Sequence, residues 1–180
     1  MKLKFYMPTK IIMGAKCIEE NKDSLKLGEK AIIVTGKHSA KINGALADVK
    51  RALEENGQQY VVYDKVMSNP TVECVYEGAG LARESGADFV IAIGGGSPMD
   101  AGKAIAVLAA QDINRDALFS GEYQDKVLPM AFIPTTAGTG SEVTQYAVLT
   151  NDAAQTKTPL SAPFMFPDVA LLDGKYMMKL

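Results

Sequence analysis

The chain has 180 residues, of which 47% are hydrophobic and 22% are charged, and its formal net charge is −2. This balance is ordinary for a soluble globular chain, and the small net charge does not favour a nucleic-acid partner. No apolar run approaches the ~18 residues needed to span a membrane, and the N-terminus lacks the apolar core of a signal peptide. Because two cysteines are too few for a disulfide framework, we expect a cytoplasmic protein without a membrane segment.

Apolar strands alternate with helical patterns over the first two thirds of the chain. The pattern predicts an extended segment at residues 5–13, helices at 15–27 and 40–56, a helix from 71 to about 84, and strands at 30–35, 59–64 and 88–93. Short loops and this alternation predict an α/β fold, a Rossmann-like and mostly parallel sheet with helices on both faces. Pro8 predicts that the first strand lies at an edge of the sheet.

The alternation of strands and helices changes in the last third of the chain. Residues 112–125 are polar and predict a short helix, and strands are predicted at 128–133, 145–150 and 168–172. Ligands of such sheets bind beyond the carboxyl ends of the strands. The turns at Gly36, at Asn69 and at 94–97 all follow strands and are expected at that edge.

Three glycines join the strand at 88–93 to a helix that continues to about residue 111. Ser97 is expected to cap this helix, with Pro98 in its first turn and Asp100 at a capping-box spacing. Bare backbone amides and the helix dipole favour an anion here, and a nucleotide phosphate is the expected one. Neither the P-loop pattern nor the G-x-G-x-x-G pattern fits. The structural alternative is a turn that needs glycine only for its geometry.

The segment Pro134–Glu142, PTTAGTGSE, combines hydroxyls and glycines between two predicted strands. Such a loop can approach a ligand closely and bond it through hydroxyls and backbone, although a flexible linker has the same composition. Lys157 is expected near the same face, with a solvated lysine as the alternative. His38 is the single histidine, so a catalytic metal site within this chain is not expected.

GGGSPMDAGK at 94–103 and PTTAGTGSE at 134–142 together resemble the iron-containing alcohol dehydrogenase family. The resemblance extends from FYMPTKIIMG at 5–14, through SNPT at 68–71, to FPDVALLD at 166–173. It implies an N-terminal α/β dinucleotide-binding domain at residues 1–173. It also implies that residues 174–180 begin an all-helical domain, whose metal ligands, an Asp and three His, are absent from this chain. The chain then corresponds to the cofactor half of such an enzyme, as a fragment or as a naturally short product, with no catalytic or metal-binding residue of its own.

The resemblance also implies roles for individual residues. Gly95, Gly96 and Ser97 would hold the cofactor pyrophosphate, and Asp100 would lie near the nicotinamide. The remaining residues implied at the cofactor cleft are Asn69, Thr135, Thr136, Thr139, Ser141 and Lys157.

The residues after the strand at 30–35 bear on the choice between NADP and NAD. NAD-selective sites of this architecture use a carboxylate to bind the ribose 2′-hydroxyl. Here Gly36 leaves room, Lys37 supplies positive charge, and Ser39 begins a helix that could face a 2′-phosphate. We therefore expect NADP, with NAD as the alternative.

For the full-length enzyme the resemblance implies reversible oxidation of a small alcohol to an aldehyde or ketone. Fe(II) or another divalent metal would act as a Lewis acid there, and a homodimer or higher homo-oligomer is implied. Three alternatives remain open: a related polyol dehydrogenase or dehydroquinate-synthase-like enzyme, a nucleotide-binding module without catalysis, and a folded fragment that binds nothing.

Overall fold

The computed structural model describes residues 5–152 and 154–178, and its centre is a six-stranded sheet in which all neighbouring strands are parallel. The strands are β1 (Lys10–Met13), β2 (Lys30–Gly36), β3 (Gln59–Val66), β4 (Phe89–Gly94), β5 (Met130–Pro134), β6 (Tyr146–Asn151), β7 (Thr156–Ser161) and β8 (Val169–Leu172). The sheet order is β1-β8-β5-β4-β2-β3, and β6 and β7 form a separate antiparallel hairpin. The helices are α1 (Cys17–Glu20), α2 (Ser39–Ile42), α3 (Ala45–Glu55), α4 (Val72–Ser85) and α5 (Gly96–Ala110). The predicted α/β architecture is confirmed.

Alternating side chains of the central strands fill two cores, one on each face of the sheet. Ile91 of β4 lies opposite Ile33 of β2 and Ala131 of β5, and all three belong to the core that α1 and α3 cover. Residues one position along, such as Val90 and Phe132, belong to the core that α4 and α5 cover. Since both faces are buried, these strands are continuous apolar runs in the sequence.

The helix α5 is the most buried helix of the molecule, with ten of its 15 residues buried. Gly102 allows it to approach β4 closely, because a Cβ at this position would lie only 2.9 Å from the Ala92 Cβ. A helix that is apolar on nearly all sides belongs in the interior. The sheet, the hairpin and α4 therefore fix the position of the α5 N-terminus.

The strand order of the sheet changes direction between β2 and β4. From β2 it passes through α2 and α3 to β3 at one edge, whereas from β4 it passes through α5 to β5 on the other side. The helices that follow β2 and β4 cover opposite faces. A crevice at the carboxyl ends of these two strands is where ligands of open α/β sheets bind. Residues 36–39 and 94–97 lie at this point, as expected.

Several predicted element boundaries are wrong. Of residues 5–13 only four form a strand, β1, which does lie at the sheet edge. The helix predicted at 15–27 is interrupted, because α1 ends at Glu20 and a 3-10 turn follows at Lys22–Leu25. The helix predicted at 40–56 is broken between α2 and α3 by Gly44, whose φ of 89° lies in the left-handed region.

The polar segment 112–125 contains turns rather than the predicted helix. The Gln111 side chain organises it by donating hydrogen bonds to the carbonyls of Gln124 at 3.0 Å and Lys126 at 2.7 Å. The strand β7 was not predicted. It pairs only with β6, and its polar residues at 156–158 give no apolar signal.

The residues that follow β8 pack against α3. Tyr176 is buried, and its hydroxyl donates a hydrogen bond to Asp48 Oδ2 at 2.8 Å. These contacts tie residues 174–176 to the α/β domain, whereas the domain boundary after residue 173 stays a prediction. Within the described ranges, no helix combines the length and the apolar character needed to cross a membrane.

Candidate functional site: the cleft at the start of α5

The turn between β4 and α5 directs backbone amides away from the carboxyl edge of the sheet. The helix begins at Gly96 with Gly95 as its N-cap, and no side chain caps it. The prediction that Ser97 caps the helix is therefore wrong. The Ser97 hydroxyl instead accepts a hydrogen bond from the Asn69 amide at 3.3 Å. The first-turn amides have no acceptor within the helix and lie at the positive end of its dipole, as an anion site requires.

The segment Pro134–Glu142 lies directly against this turn. Its first threonine is tied to the turn, since the Thr135 amide donates a hydrogen bond to the Gly94 carbonyl at 2.8 Å. A Cβ added to Gly95 would lie 3.1 Å from Thr136 Oγ1, and one added to Gly96 would lie 3.3 Å from Thr139 Cγ2. We call this arrangement of Gly95, Gly96, Thr136 and Thr139 the glycine cradle. Side chains at the two glycines would fill the space beside the threonines.

A small cleft of about 80 Å³ lies between the start of α5, the Asn69 loop and the hairpin. Its lining includes the predicted site residues Asn69, Ser97, Asp100 and Lys157, together with Pro70, Val148, Leu149 and Thr150. The loop of Asn69 is fixed to the hairpin because the Thr150 amide donates a hydrogen bond to the Pro70 carbonyl at 2.8 Å. Four predicted residues from three separate parts of the chain, the Asn69 loop, the start of α5 and β7, thus meet around one cleft.

Asp100 and Ser141, both predicted at the cleft, bond to one another. Asp100 Oδ1 accepts a hydrogen bond from Ser141 Oγ at 2.7 Å, and Asp100 Oδ2 accepts one from the Val148 amide at 3.1 Å. The carboxylate therefore joins α5 to the glycine-rich loop and to β6. Ser141 is buried, so its hydroxyl serves this network rather than the open cleft.

Lys103 is a residue of this region that is not among the predicted site residues. Its side chain has no solvent exposure, and its ammonium group donates hydrogen bonds to Ser141 Oγ at 2.9 Å and to the Tyr146 carbonyl at 2.7 Å. Burial lowers the pKa of Lys103 to about 8, while the negative charges of Asp100 and Glu142 oppose the shift. The signal available in the sequence is a lysine that is followed directly by a run of seven apolar residues, 104–110, and stands three residues after an aspartate.

Residues 36–39 lie at the end of β2, on the other side of the switch point. Lys37 and His38 are exposed, and Gly36 and Ser39 are partly exposed. The helix α2 that begins at Ser39 has only four residues, so its dipole is weaker than the predicted long helix would supply. An ion pair of Lys41 with Asp64, at 2.6 Å, lies beside this loop. The loop shares the sheet edge with the glycine cradle but is not bonded into the same network.

The described parts of the chain, 5–152 and 154–178, bring together no group of three or more His, Cys, Asp or Glu side chains that could hold a metal ion. The chemistry that this site supports is the binding of an anionic ligand on backbone amides, beside hydroxyls and one exposed lysine.

Comparison with known proteins identifies the family. A family model described as iron-containing alcohol dehydrogenase matches residues 8–174. The long-chain primary alcohol dehydrogenase AdhA of Thermoanaerobacter ethanolicus is 43% identical over 151 residues, which are 83% of this chain and 38% of that protein. An iron-containing alcohol dehydrogenase of Thermotoga maritima has a similar structure, with a TM-score of 0.91, 41% identity, and coverage of 98% of this chain and 49% of that one.

Two butanol dehydrogenases of Clostridium differ in the cofactor that their names state. The NADH-dependent butanol dehydrogenase B of Clostridium acetobutylicum and the NADPH-dependent butanol dehydrogenase of Clostridium saccharobutylicum are each 36% identical to this chain, over 96% of it and 45% of each relative. Overall similarity therefore does not decide between the two cofactors. The chain spans less than half the length of these curated relatives. The family match covers nearly the whole chain, and the chain belongs to the iron-containing alcohol dehydrogenase family.

Proposed function

We propose that this chain binds a nicotinamide dinucleotide and forms the cofactor-binding half of a metal-dependent alcohol dehydrogenase. The observation that carries the proposal is the glycine cradle, in which the amides at the start of α5 face the threonines of the loop 134–142 at the switch point of the sheet. A pyrophosphate fits such a place because helix-terminal amides and the dipole both favour negative charge.

The position of each residue supports the role that we propose for it. Gly95, Gly96 and Ser97 hold the pyrophosphate through their amides, and Thr135, Thr136, Thr139 and Ser141 form the facing wall. Asn69, Asp100 and Lys157 line the small cleft between the start of α5 and the hairpin. Within this set, Ser141 and Asp100 act mainly by fixing the wall, because their polar atoms are already bonded to protein groups.

When bound, the nicotinamide ring would supply hydride acceptance and donation, which is the chemistry of the cofactor itself. The residues described above bind the cofactor and orient its ring. We propose a small alcohol or aldehyde as the substrate of the whole protein. The described residues do not bring together ligands for the metal that the family name implies, and we assign no step to it.

We propose NADP rather than NAD as the preferred cofactor. Gly36 ends β2 without a carboxylate, and Lys37 supplies an exposed positive charge beside it. A carboxylate at this point would favour the ribose 2′-hydroxyl and repel a 2′-phosphate. Gly36→Asp should therefore shift the ratio of NADPH to NADH affinity towards NADH. An unchanged ratio would refute the proposed preference while leaving cofactor binding intact.

We also propose where in the cell the protein is located and with what it associates. Two unpaired cysteines, one of them buried, are consistent with a cytoplasmic location, and a homodimer or higher homo-oligomer is proposed for the whole protein, with no nucleic acid or membrane as a partner.

Titration with NADPH and with NADH, followed by the fluorescence of the nicotinamide, tests the central proposal. We expect saturable binding of both dinucleotides, with NADPH binding more tightly. Adenosine alone serves as a control, since it lacks the pyrophosphate and should bind much more weakly. Failure of both dinucleotides to bind would contradict the proposal for this chain.

A further inference from the structure

The segment from Ser141 to Val148 is held to α5 by two charged side chains, Asp100 and Lys103, which lie one helical turn apart. Asp100 accepts hydrogen bonds from Ser141 Oγ and from the Val148 amide. Lys103 donates hydrogen bonds to Ser141 Oγ and to the Tyr146 carbonyl. We call this set of bonds the tether. Both charged residues bond to the end of the glycine-rich loop and to the start of the hairpin.

Burial of the Lys103 ammonium group costs free energy unless polar groups bond to it. The side chain is fully buried, and its ammonium group lies 5.9 Å from the centre of the Phe132 ring. Its third contact is Thr144 Oγ1 at 3.4 Å, and Asp100 Oδ1 lies 4.0 Å away. Burial of an ammonium group carries a large desolvation penalty, whereas an apolar side chain of the same length would fill this space without one. The polar contacts, rather than packing, therefore explain a lysine here.

The tether anchors one end of the loop whose threonines belong to the glycine cradle. The loop that carries Thr136 and Thr139 is anchored at its first end by the bond from the Thr135 amide to Gly94. Its second end is anchored by Ser141, which is bonded both to Asp100 and to Lys103. The two threonines lie between these anchors and face Gly95 and Gly96. The second anchor thus sets the distance between the wall and the start of α5.

We propose that Lys103 is a positioning residue, which acts through Ser141 and the Tyr146 carbonyl to hold the threonine wall against the α5 N-terminus. Lys103 has no contact with the cleft itself, so its effect on the cofactor is indirect. The expected effect of Lys103 on cofactor binding rests on the proposed function. The claim that Lys103 holds the loop in place in the unliganded chain does not depend on that function.

Hydrogen exchange of the unliganded chain tests that claim. Lys103→Met removes the donor group and keeps an unbranched side chain that is one atom shorter. We expect faster exchange of amides in residues 139–148 and unchanged exchange in β4 and β5. The matched control is Lys65→Met, which removes an exposed lysine paired with Glu77, away from the cleft. Unchanged exchange at 139–148 in Lys103→Met would overturn the proposal.

Cofactor affinity gives a second test through a double-mutant cycle of Lys103→Met and Ser141→Ala. We expect each single variant to bind NADPH about 10- to 100-fold more weakly, from the loss of a hydrogen bond to a charged group. The double variant should bind NADPH with nearly the same affinity as the single variant that binds it less tightly, because both changes remove the same anchor. Additive losses would contradict action through Ser141.

The outcomes separate the two proposals. If the unaltered chain binds neither dinucleotide, the proposed function fails, and the exchange experiment still decides the role of Lys103. If Lys103→Met does not fold, Lys103→Gln keeps an amide donor, and Ser141→Ala removes the shared anchor with the core left intact. Faster exchange at 139–148 in Ser141→Ala supports the tether, and unchanged exchange in that variant overturns it. Lys103→Gln, which keeps a donor, should show a smaller change than Ser141→Ala.

Discussion

Around the start of α5, backbone groups and buried side chains of three segments bond to one another, whereas at the end of β2 the residues 36–39 are largely exposed. The first region includes the fully buried Lys103 and the buried Ser141. The second includes Lys37 and His38, both exposed, and an exposed ion pair of Lys41 with Asp64. Both regions lie at the carboxyl edge of the same sheet, on either side of the switch point.

The difference indicates how the two regions would contribute to binding. A bonded region is already formed before a ligand arrives, so it offers a fixed shape for the part of the cofactor that NAD and NADP share. An exposed loop can change its side chains without disturbing a core, and it is suited to distinguish the two cofactors. Changes in the first region should therefore affect stability and affinity together. Changes in the second should affect selectivity with little effect on stability.

The largest expected effect concerns the buried charge of the first region. Lys103 has a folded-state pKa of about 8, below the 10.5 of an ordinary lysine, and the charged groups that face it are Asp100 and Glu142. The unfolded chain binds more protons between pH 8 and 10.5, so the contribution of Lys103 to stability rises with pH there and is lost as the pH falls through 8. The free energy of unfolding relative to Lys103→Met should rise by about 3 kcal/mol across this window. Urea unfolding of both proteins at several pH values measures it, and a flat or falling difference would contradict the account.

Gly96→Val tests the glycine cradle. The added side chain would lie beside Thr139 and keep a phosphate away from the first-turn amides. We expect NADPH affinity to fall about 10- to 100-fold, from the loss of charge-assisted hydrogen bonds. Gly80→Val is the matched control, since a Cβ at Gly80 meets nothing within 4 Å. Equal affinities of the two variants would show that the cradle does not contact the cofactor.

Asp100→Ala tests the bonded region in the absence of cofactor. The change leaves Ser141 Oγ and the Val148 amide without their acceptor and removes a charge near Lys103. We expect a loss of about 2 kcal/mol in the free energy of unfolding. Asp23→Ala, which removes an exposed partner of Lys26, should cost much less, because exposed ion pairs contribute little to stability. Similar losses for both variants would remove the distinction between buried and exposed bonds.

The smallest effect is expected at the end of β2. Lys41→Met breaks the ion pair with Asp64, in which both side chains are exposed. Exposed pairs contribute little, so the urea midpoint should correspond to a change of less than about 1 kcal/mol. A larger loss would mean that this region is as strongly built as the start of α5.

The sequence predicted the elements whose signals are local. The strands β2, β4 and β5 are apolar runs, and the start of α4 was marked by Thr71, whose side chain does accept a hydrogen bond from the Cys74 amide at 3.2 Å. The break at Gly44 was missed because the helical spacing of apolar residues continues across it. The glycine there adopts a left-handed backbone conformation instead.

The sequence predicted which residues lie near the start of α5, and it did not predict the hydrogen bonds between them. Both motifs were located, and the parallel sheet brings them together as expected. The burial of Lys103 was not predicted, since a single lysine is normally exposed and its acceptors lie 38 and 43 residues further along the chain. The sequence predicts Ser97 as the N-cap of α5, because serine is a good N-cap. In the structure Gly95 takes that position and leaves the amides free of a side-chain cap.

Hydrogen exchange of the chain with and without saturating NADPH is the most direct test of the cofactor site. The account predicts that binding slows exchange most strongly at residues 95–100 and 135–141, with a smaller effect at 36–41. Saturable binding that protects other parts of the sheet and leaves 95–100 and 135–141 unchanged would contradict it, as would the absence of binding.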